Sequence, residues 1–234
     1  MPEAPTVDGS VGEWDGQLTQ VGDEPVSVAS LPTDSLLYVA VLVQDRALVR
    51  SIATNGLVLW VDPSGTQRRT YGVQYPIGLR RQQAGQTADP EAATPEGLDA
   101  VSLSELEVVR GDTSRHRIPA RFSSGLRGQA TLDPSALVYE LAIPVASSSS
   151  SAAASRQHGL RASLNGPVGI GVQIPEPDDE SQILDQGPDR TSVVGAGRRR
   201  RGGGRRRAPP PQQSGAPEMP SLDLWINVVS AQRP

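Results

Sequence analysis

The stretch from residue 36 to residue 62 constrains the fold of this chain most strongly. Its first run, LLYVAVLVQD, places apolar side chains on both faces of an alternating, β-branched pattern that is typical of a strand. A strand with two apolar faces is expected at the centre of a sheet, covered on both sides. The second run, residues 57–61, ends at the turn sequence Asp62-Pro63-Ser64-Gly65. We interpret the two runs as neighbouring antiparallel strands of a sandwich, with a short helical or irregular crossing at residues 46–51.

Further segments with the same period follow along the chain. Residues 137–145 form the second clear strand pattern, which Pro144 ends because proline cannot donate a backbone hydrogen bond. Residues 26–31, 70–75, 101–109, 117–122, 128–132, 159–164, 168–174 and 222–229 are the other strand candidates. About ten strands and almost no helix predict an all-β fold, an antiparallel β-sandwich with jelly-roll or immunoglobulin-like layers.

Three segments of low hydrophobicity interrupt this pattern. Residues 80–99 are rich in Gln, Ala, Pro and Gly, residues 146–157 contain a serine tract, and residues 176–220 combine acids with an Arg/Gly/Pro run. Such compositions are typical of flexible loops. Because an alternating strand follows the third segment, we predict one sandwich domain over residues 1–234 with long disordered loop insertions.

Positive charge is concentrated in one of these segments. The formal net charge of the 234 residues is −4, yet seven arginines lie together at residues 198–201 and 205–207. A basic run can contact nucleic acid or another polyanion. This one contains no aromatic side chain on which bases could stack. We therefore favour a solvated insertion at residues 198–207 over nucleic-acid binding, and keep a polyanion contact as the alternative.

The sequence lacks a recognisable catalytic motif. It has no cysteine, and its two histidines, His116 and His158, are far apart in the sequence. No zinc or Ser-His-Asp pattern is therefore visible. Asp8, Asp45 and Asp62, like the acids at residues 176–180, offer the oxygen ligands that calcium prefers, but not with the spacing of a calcium loop. We predict a non-catalytic protein without a cofactor, in which turn and cap roles for these acids are favoured over calcium binding.

Trp225 is the leading candidate for ligand contact. It lies on the last predicted strand, on a face that it shares with Asp223 and Asn227. A flat apolar ring between polar neighbours suits a sugar, whose C–H face stacks on the ring while its hydroxyls form hydrogen bonds at the edge. Trp60 and Tyr71 are further candidates, for which packing within the sheet is the alternative.

Several motifs follow one another in a recognisable order. They are Val7-Asp8-Gly9 before Glu13-Trp14, a strand that runs into Asp45, a strand that closes on Asp62-Pro63, the segment YELAIP at residues 139–144, and a glycine-containing strand at residues 168–174. In this order the chain resembles the family-9 carbohydrate-binding modules and the wider DOMON-like group of β-sandwiches. The resemblance implies an extracytoplasmic antiparallel sandwich that binds sugars or, in other branches, haem, sometimes with structural calcium.

One part of the family pattern is missing. The segment that contributes an aromatic wall of the sugar clamp in those modules corresponds to residues 49–55, which contain no Trp here. We predict a binding module for a glycan or another cell-envelope component, with Trp225, Trp60, Tyr71 and Asn227 as carbohydrate contacts. The alternative is a structural or interaction domain of the cell envelope without a small ligand, which joint burial of Trp14, Trp60 and Trp225 would favour.

The same resemblance leads us to expect a periplasmic or extracellular protein. The first residues lack the basic and apolar pattern of a signal peptide. This fits either a protein that stays inside the cell or a mature chain with an added Met, and the resemblance favours the second. No apolar run approaches the roughly 18 residues of a membrane span.

Overall fold

The chain folds into two antiparallel β-sheets whose inner faces share one hydrophobic core. The computed structural model describes residues 4–82, 103–111, 114–121, 125–145, 158–162, 164, 166–176 and 219–229. All described residues belong to one compact unit, which comprises Met1–Glu176 and Met219–Pro234. The predicted all-β sandwich is confirmed.

Eleven strands make up the described part of the two sheets. They are β1 (Thr19–Gln20), β2 (Val26–Pro32), β3 (Leu36–Val43), β4 (Val58–Asp62), β5 (Tyr71–Gln74), β6 (Glu105–Arg110), β7 (Ser114–Pro119), β8 (Arg127–Leu132), β9 (Leu137–Pro144), β10 (Pro167–Gln173) and β11 (Asp223–Val229). The order β1-β2-β3-β9-β8 forms the five-stranded sheet, and β11-β10-β4-β5-β6-β7 forms the six-stranded sheet. A 3-10 turn (Gly12–Trp14) and two helices, α1 (Arg46–Asn55) and α2 (Leu79–Gln82), complete the described elements.

The prediction that β3 and β4 are neighbours is wrong. Strand β3 pairs with β2 and β9 in one sheet, whereas β4 pairs with β5 and β10 in the other. The reason is the connection between them, because α1 carries the chain from one sheet to the other. A hairpin would have required a short turn at this position.

Helix α1 has clear start and stop signals, and it is longer than the crossing predicted at residues 46–51. Asp45 caps its N-terminus by accepting hydrogen bonds from the backbone N–H groups of Ala47 (2.9 Å) and Leu48 (2.8 Å). Gly56 ends it with φ +89° and donates its N–H to the carbonyl of Ile52 at 2.7 Å. The apolar side of α1 is buried in the main core.

Strand β3 is covered on both faces, as its two apolar sides predict. Leu37, Val39, Val41 and Val43 point into the core between the sheets. On the opposite side, Tyr38 and Ala40 belong to a smaller apolar cluster that also contains Trp14. Trp14 is only 2 % exposed, so its role is structural.

Three predicted strands differ from the structure. The strand predicted at residues 101–109 is β6, which begins at Glu105. In place of a strand at residues 159–164, Leu160 makes a single bridge to Val145. The strand predicted at residues 117–122 is β7, which begins three residues earlier at Ser114. Of the predicted insertions, residues 83–99, 146–157 and 177–218 lie outside the described residues, so the single-domain layout with three flexible insertions stays a prediction. The first residues of the 80–99 segment belong to α2.

Candidate functional site

Two tryptophans and two glycines alternate across the outer face of the six-stranded sheet. We use the term outer face for the side of this sheet that points away from the main core. Gly171 of β10 lies opposite Trp225 of β11 on one side and opposite Trp60 of β4 on the other. Trp60 in turn lies opposite Gly72 of β5. Because glycine has no side chain, each indole can lie on the backbone of the next strand.

The indole of Trp225 lies with its face against Gly171. A Cβ atom added at Gly171 would come within 2.8–3.0 Å of three atoms of the indole, Cε2, Cζ2 and Cδ2. Similar distances to three ring atoms indicate that the face of the ring, and not its edge, covers the glycine. Trp225 remains partly exposed, and its neighbours Asp223 and Asn227 on the same face are exposed. The expected outward orientation of Trp225 among polar groups is therefore observed.

Trp60 lies on the same face but offers little surface to a ligand. Its side chain is 7 % exposed and belongs to an apolar cluster with Val58 and Val109, against which Trp225 also packs. Its indole Nε1 donates a 2.7 Å hydrogen bond to Oε1 of Gln173. Apolar packing and this hydrogen bond thus hold the indole of Trp60 in place, and Trp225 packs against the same cluster.

Tyr71 is on the wrong side of the sheet for the predicted sugar contact. Its side chain points into the main core and is 3 % exposed. Its hydroxyl donates a 2.7 Å hydrogen bond to the backbone carbonyl of His158. Burial raises the pKa of Tyr71 well above its usual range, although the nearby Arg110 guanidinium opposes this shift. The prediction fails because β5 alternates, so that Gly72 and not Tyr71 faces outward beside Trp60.

A polar network continues the outer face toward the β7 edge. The side chain of Gln74 is buried and donates to the carbonyls of Asn55 (3.2 Å) and Ile77 (3.0 Å). Arg115 donates to the Oε1 atom of Gln74 and to Glu107, both at 3.0 Å. Glu107 also lies within ion-pair distance of two other arginines, Arg81 and Arg117. This network stabilises the packing of β5, β6 and β7, and the sequence does not reveal it because its members come from separate segments.

The carboxylates considered for calcium are engaged by their own chain. Asp62 accepts five hydrogen bonds, from the backbone of Ser64, Thr66 and Arg68 and from the hydroxyls of Ser64 and Thr66. Burial raises the pKa of Asp62, but these hydrogen bonds outweigh it and hold the pKa well below the usual range. Asp45 caps α1, and Asp8 accepts from the backbone N–H of Ser10.

These roles are the turn and cap roles that the sequence favours. Within the part of the chain that the structure describes, no group of three or more His, Cys, Asp or Glu side chains could hold a metal ion. Of the acids at residues 176–180, all but Glu176 lie outside that part, so a calcium site there stays untested.

The two histidines meet in the fold despite their separation in sequence. The rings of His116 and His158 stack with centroids 5.2 Å apart and planes within 8° of parallel. Burial lowers the pKa of His158, and the nearby His116 and Arg110 lower it further. Sequence spacing gives no sign of this contact, because only the tertiary structure brings these two distant positions together.

The arginine-rich segment at residues 198–207 lies outside the described residues, so its solvated role stays a prediction. Among the described helices, none is both long enough and apolar enough to cross a bilayer.

Comparison with known proteins finds a likeness at the level of structure. No protein-family model matches the sequence, and no curated protein does. Two matching solved structures are of a family-9 carbohydrate-binding module from Caldicellulosiruptor kristjanssonii, one in complex with glucose and one with cellotriose. Each is 13% identical over 76% of this chain, which aligns with 78% and 76% of those chains at TM-scores of 0.34 and 0.35. The motif order of the sequence resembles this same family, whereas the DOMON-like part of the resemblance stays a prediction.

Proposed function

We propose that this chain is a non-catalytic carbohydrate-binding module whose ligand stacks on Trp225. The observation that carries the proposal is the indole of Trp225, which lies on Gly171, stays partly exposed and has exposed Asp223 and Asn227 beside it. An apolar platform with polar groups at its edge is the arrangement that a pyranose ring requires.

The platform is preorganised by its surroundings. Gly171 supports one face of the indole, and the cluster around Trp60 packs against it. A ring that is already held in place loses little conformational entropy when a sugar binds. Asn227 can both donate and accept hydrogen bonds through its amide, which suits the mixed donor and acceptor character of sugar hydroxyls. Asp223 forms an exposed ion pair with Arg69, so both groups lie at the edge of the same surface.

Binding of neutral oligosaccharides tests this proposal directly. Glucose and cellotriose are the first probes, since the two structural neighbours hold them, followed by a glycan array. We expect saturable binding by calorimetry and a change in tryptophan fluorescence. Trp225→Ala should weaken binding at least about tenfold, and Trp225→Tyr should retain part of it, since a smaller aromatic platform remains.

Met219→Ala is a suitable control, because it removes a large exposed hydrophobic side chain, 39% exposed, outside the outer face. This variant should bind as the unmodified chain does. The proposal fails if no sugar binds, or if Trp225→Ala and Met219→Ala have equal effects in folded protein.

A structural or interaction domain of the cell envelope is the second candidate. Burial of Trp14 and Trp60 favours it, because two of the three tryptophans serve packing. Partial exposure of Trp225 argues for the sugar-binding alternative. Absence of glycan binding together with co-purification of an envelope protein would favour the second candidate.

We also propose that the protein acts in the periplasm or outside the cell. The support is the motif order that the chain shares with extracytoplasmic modules. Fractionation of the native host and sequencing of the mature N-terminus would test this location, and recovery of the protein only from the cytoplasm would contradict it.

A further inference from the structure

Helix α1 is joined to strand β4 through the dipeptide Asn55–Gly56. Asn55 is the last residue of the helix, and Gly56 is its C-cap. An asparagine that precedes a glycine is especially prone to spontaneous deamidation, because glycine has no side chain to keep its backbone nitrogen away from the neighbouring amide. The packing around this dipeptide therefore decides whether the reaction can take place in the folded chain.

The fold requires glycine at position 56. Gly56 has φ +89°, a conformation that other residues rarely adopt. A Cβ atom added there would lie 2.6 Å from Nε2 of Gln74 and from the carbonyl oxygen of Ile77, and 2.7 Å from the carbonyl oxygen of Pro76. Because a larger residue does not fit, the reactive dipeptide can be removed only by replacing Asn55.

Deamidation requires the backbone nitrogen of Gly56 to reach the side chain of Asn55. The nitrogen loses its proton to the solvent and attacks Cγ of Asn55. A new C–N bond forms, the bond between Cγ and Nδ2 breaks, and the leaving group takes a proton from the solvent and departs as ammonia. A water molecule then opens the succinimide ring at either carbonyl group, which gives aspartate or isoaspartate. Water is the co-reactant, and nothing is oxidised or reduced.

The folded chain holds the attacking nitrogen in place. The N–H of Gly56 donates a 2.7 Å hydrogen bond to the carbonyl of Ile52, which keeps the proton on the nitrogen. The carbonyl of Asn55 accepts a hydrogen bond from Nε2 of Gln74 at 3.2 Å. A Cβ atom added at Gly78 would lie only 2.4 Å from the backbone carbon of Asn55 and from the nitrogen of Gly56, so Gly78 packs directly on this peptide bond. The nitrogen cannot approach Cγ unless the end of α1 opens.

The side-chain amide is held as well. Nδ2 of Asn55 lies 3.5 Å from the hydroxyl oxygen of Ser51, and that hydroxyl donates a 2.8 Å hydrogen bond to the carbonyl of Pro220. Ser51 is 1 % exposed. We propose that Asn55–Gly56 is a deamidation site that the fold keeps closed, so that its modification records local opening of the C-terminal end of α1.

Peptide mapping by mass spectrometry, after incubation of the full chain at mildly alkaline pH, tests the proposal. Asn55 should deamidate at least about ten times faster in guanidinium chloride, which unfolds the chain, than in native buffer, because only the locally open fraction of the folded chain reacts. Asn165–Gly166 is the other Asn-Gly pair and serves as the chemical reference, since both pairs should react at similar rates in the unfolded chain. Equal rates at Asn55 in the folded and the unfolded chain would overturn the proposal.

A pair of matched variants tests whether opening occurs at the end of α1. Ser51→Ala removes the bond to the Pro220 carbonyl and the contact with the Asn55 amide, so it should raise the native-state rate at Asn55 by roughly threefold or more. Thr131→Ala is the control, because it removes a similar hydroxyl-to-carbonyl bond, to Gly9 at 3.0 Å, in the other sheet. It should leave the rate at Asn55 unchanged. Equal acceleration by the two variants, with circular dichroism verifying the fold of each, would overturn the proposal.

The modified chain should also close less firmly than the unmodified one. The aspartate product places a negative charge at the C-terminus of α1, where the helix dipole disfavours it. Asn55→Asp reproduces this product and should lower the midpoint of urea unfolding. Asn227→Asp, at an exposed position on β11, is the matched control and should shift the midpoint less. Equal shifts in the two variants would overturn this part of the proposal.

Discussion

The indole Nε1 of Trp14 donates a 2.7 Å hydrogen bond to Oε1 of Glu140, from which it is separated by 126 residues in the sequence. The other carboxylate oxygen accepts hydrogen bonds from the backbone N–H groups of Asp8 (2.9 Å) and Gly9 (2.6 Å). Glu140 is only 1 % exposed. A single buried carboxylate on β9 therefore fastens the N-terminal segment to the side of the five-stranded sheet that points away from the main core.

Loss of the Glu140 charge should destabilise the fold. Hydrogen bonds to a charged group contribute about 1.5–3 kcal/mol each, and Gln offers only one acceptor oxygen where three donors converge. We expect Glu140→Gln to lower the free energy of unfolding in urea by about 2–4 kcal/mol. The exposed Glu105 provides the control, and Glu105→Gln should change it by less than about 0.5 kcal/mol. Equal effects of the two substitutions would show that Glu140 does not anchor the N-terminal segment.

The two glycines of β10 should respond differently to a methyl group. At Gly171 an added Cβ would lie 2.8 Å from the Trp225 ring, whereas at Gly169 its nearest neighbours would be 3.5 Å away, at ordinary contact distance. We expect Gly171→Ala to destabilise the protein by about 1–3 kcal/mol through overpacking and to alter the near-UV circular dichroism of Trp225. Gly169→Ala should be neutral or stabilising by up to about 1 kcal/mol. A reversed order of the two variants in urea unfolding would contradict the position of the Trp225 ring.

Stability should fall as the pH drops below the usual pKa of histidine. Burial, His116 and Arg110 lower the pKa of His158 in the folded chain from its ordinary value of 6.5. The unfolded chain therefore takes up this proton first, so the contribution is fully present above pH 6.5 and is lost as the pH falls from 6.5 through the folded-state pKa. Urea unfolding between pH 8 and pH 5 should show this loss, and His158→Gln should flatten the profile. An unchanged slope in His158→Gln would assign the effect to another group.

Asp62 should stabilise the turn between β4 and β5 more strongly than the exposed Asp133 stabilises the turn between β8 and β9. Asp62 is 2 % exposed and accepts five hydrogen bonds. Asp133 is exposed and accepts bonds from Ser135 and Ala136. We expect Asp62→Ala to cost about 2–4 kcal/mol and Asp133→Ala at most about 1 kcal/mol.

The contribution of Asp62 also has a defined pH dependence. Its hydrogen bonds hold its folded-state pKa well below the ordinary value of 3.8, so its stabilisation is present above that value and is lost as the pH falls below it. Unfolding measured on both variants between pH 7 and pH 2 tests this. A similar loss of stability on acidification in Asp62→Ala and in the unmodified chain would contradict it.

Local patterns predicted most strands but not all of their partners. The alternation in residues 36–43 and 137–145 predicts strands because it is a property of neighbouring side chains. The partner of β3 depends on α1, which separates β3 from β4 by a crossing between sheets. The capping residue Asp45 marks the start of α1 in the sequence. That α1 leads the chain into the other sheet is decided by the packing of its apolar side in the core.

The sequence also predicted only part of the candidate site. Trp225 was predicted to lie among polar neighbours because Asp223 and Asn227 are two positions away on either side, and a strand places such positions on one face. Tyr71 was misassigned, because the alternating pattern of residues 70–75 does not reveal which side of β5 faces the core. The support of Trp225 by Gly171 could not be foreseen, since it depends on the register between β10 and β11.

The sequence by itself determined the all-β class, the position of most strands and the outward face of Trp225, because these follow from side-chain periodicity and turn chemistry within a few residues. The tertiary structure decided which strands pair, the anchoring of the N-terminal segment on Glu140, and the stacking of His116 on His158. These features depend on contacts between residues tens to more than a hundred positions apart, and such contacts are set by sheet register and by the packing of the two sheets on a common core.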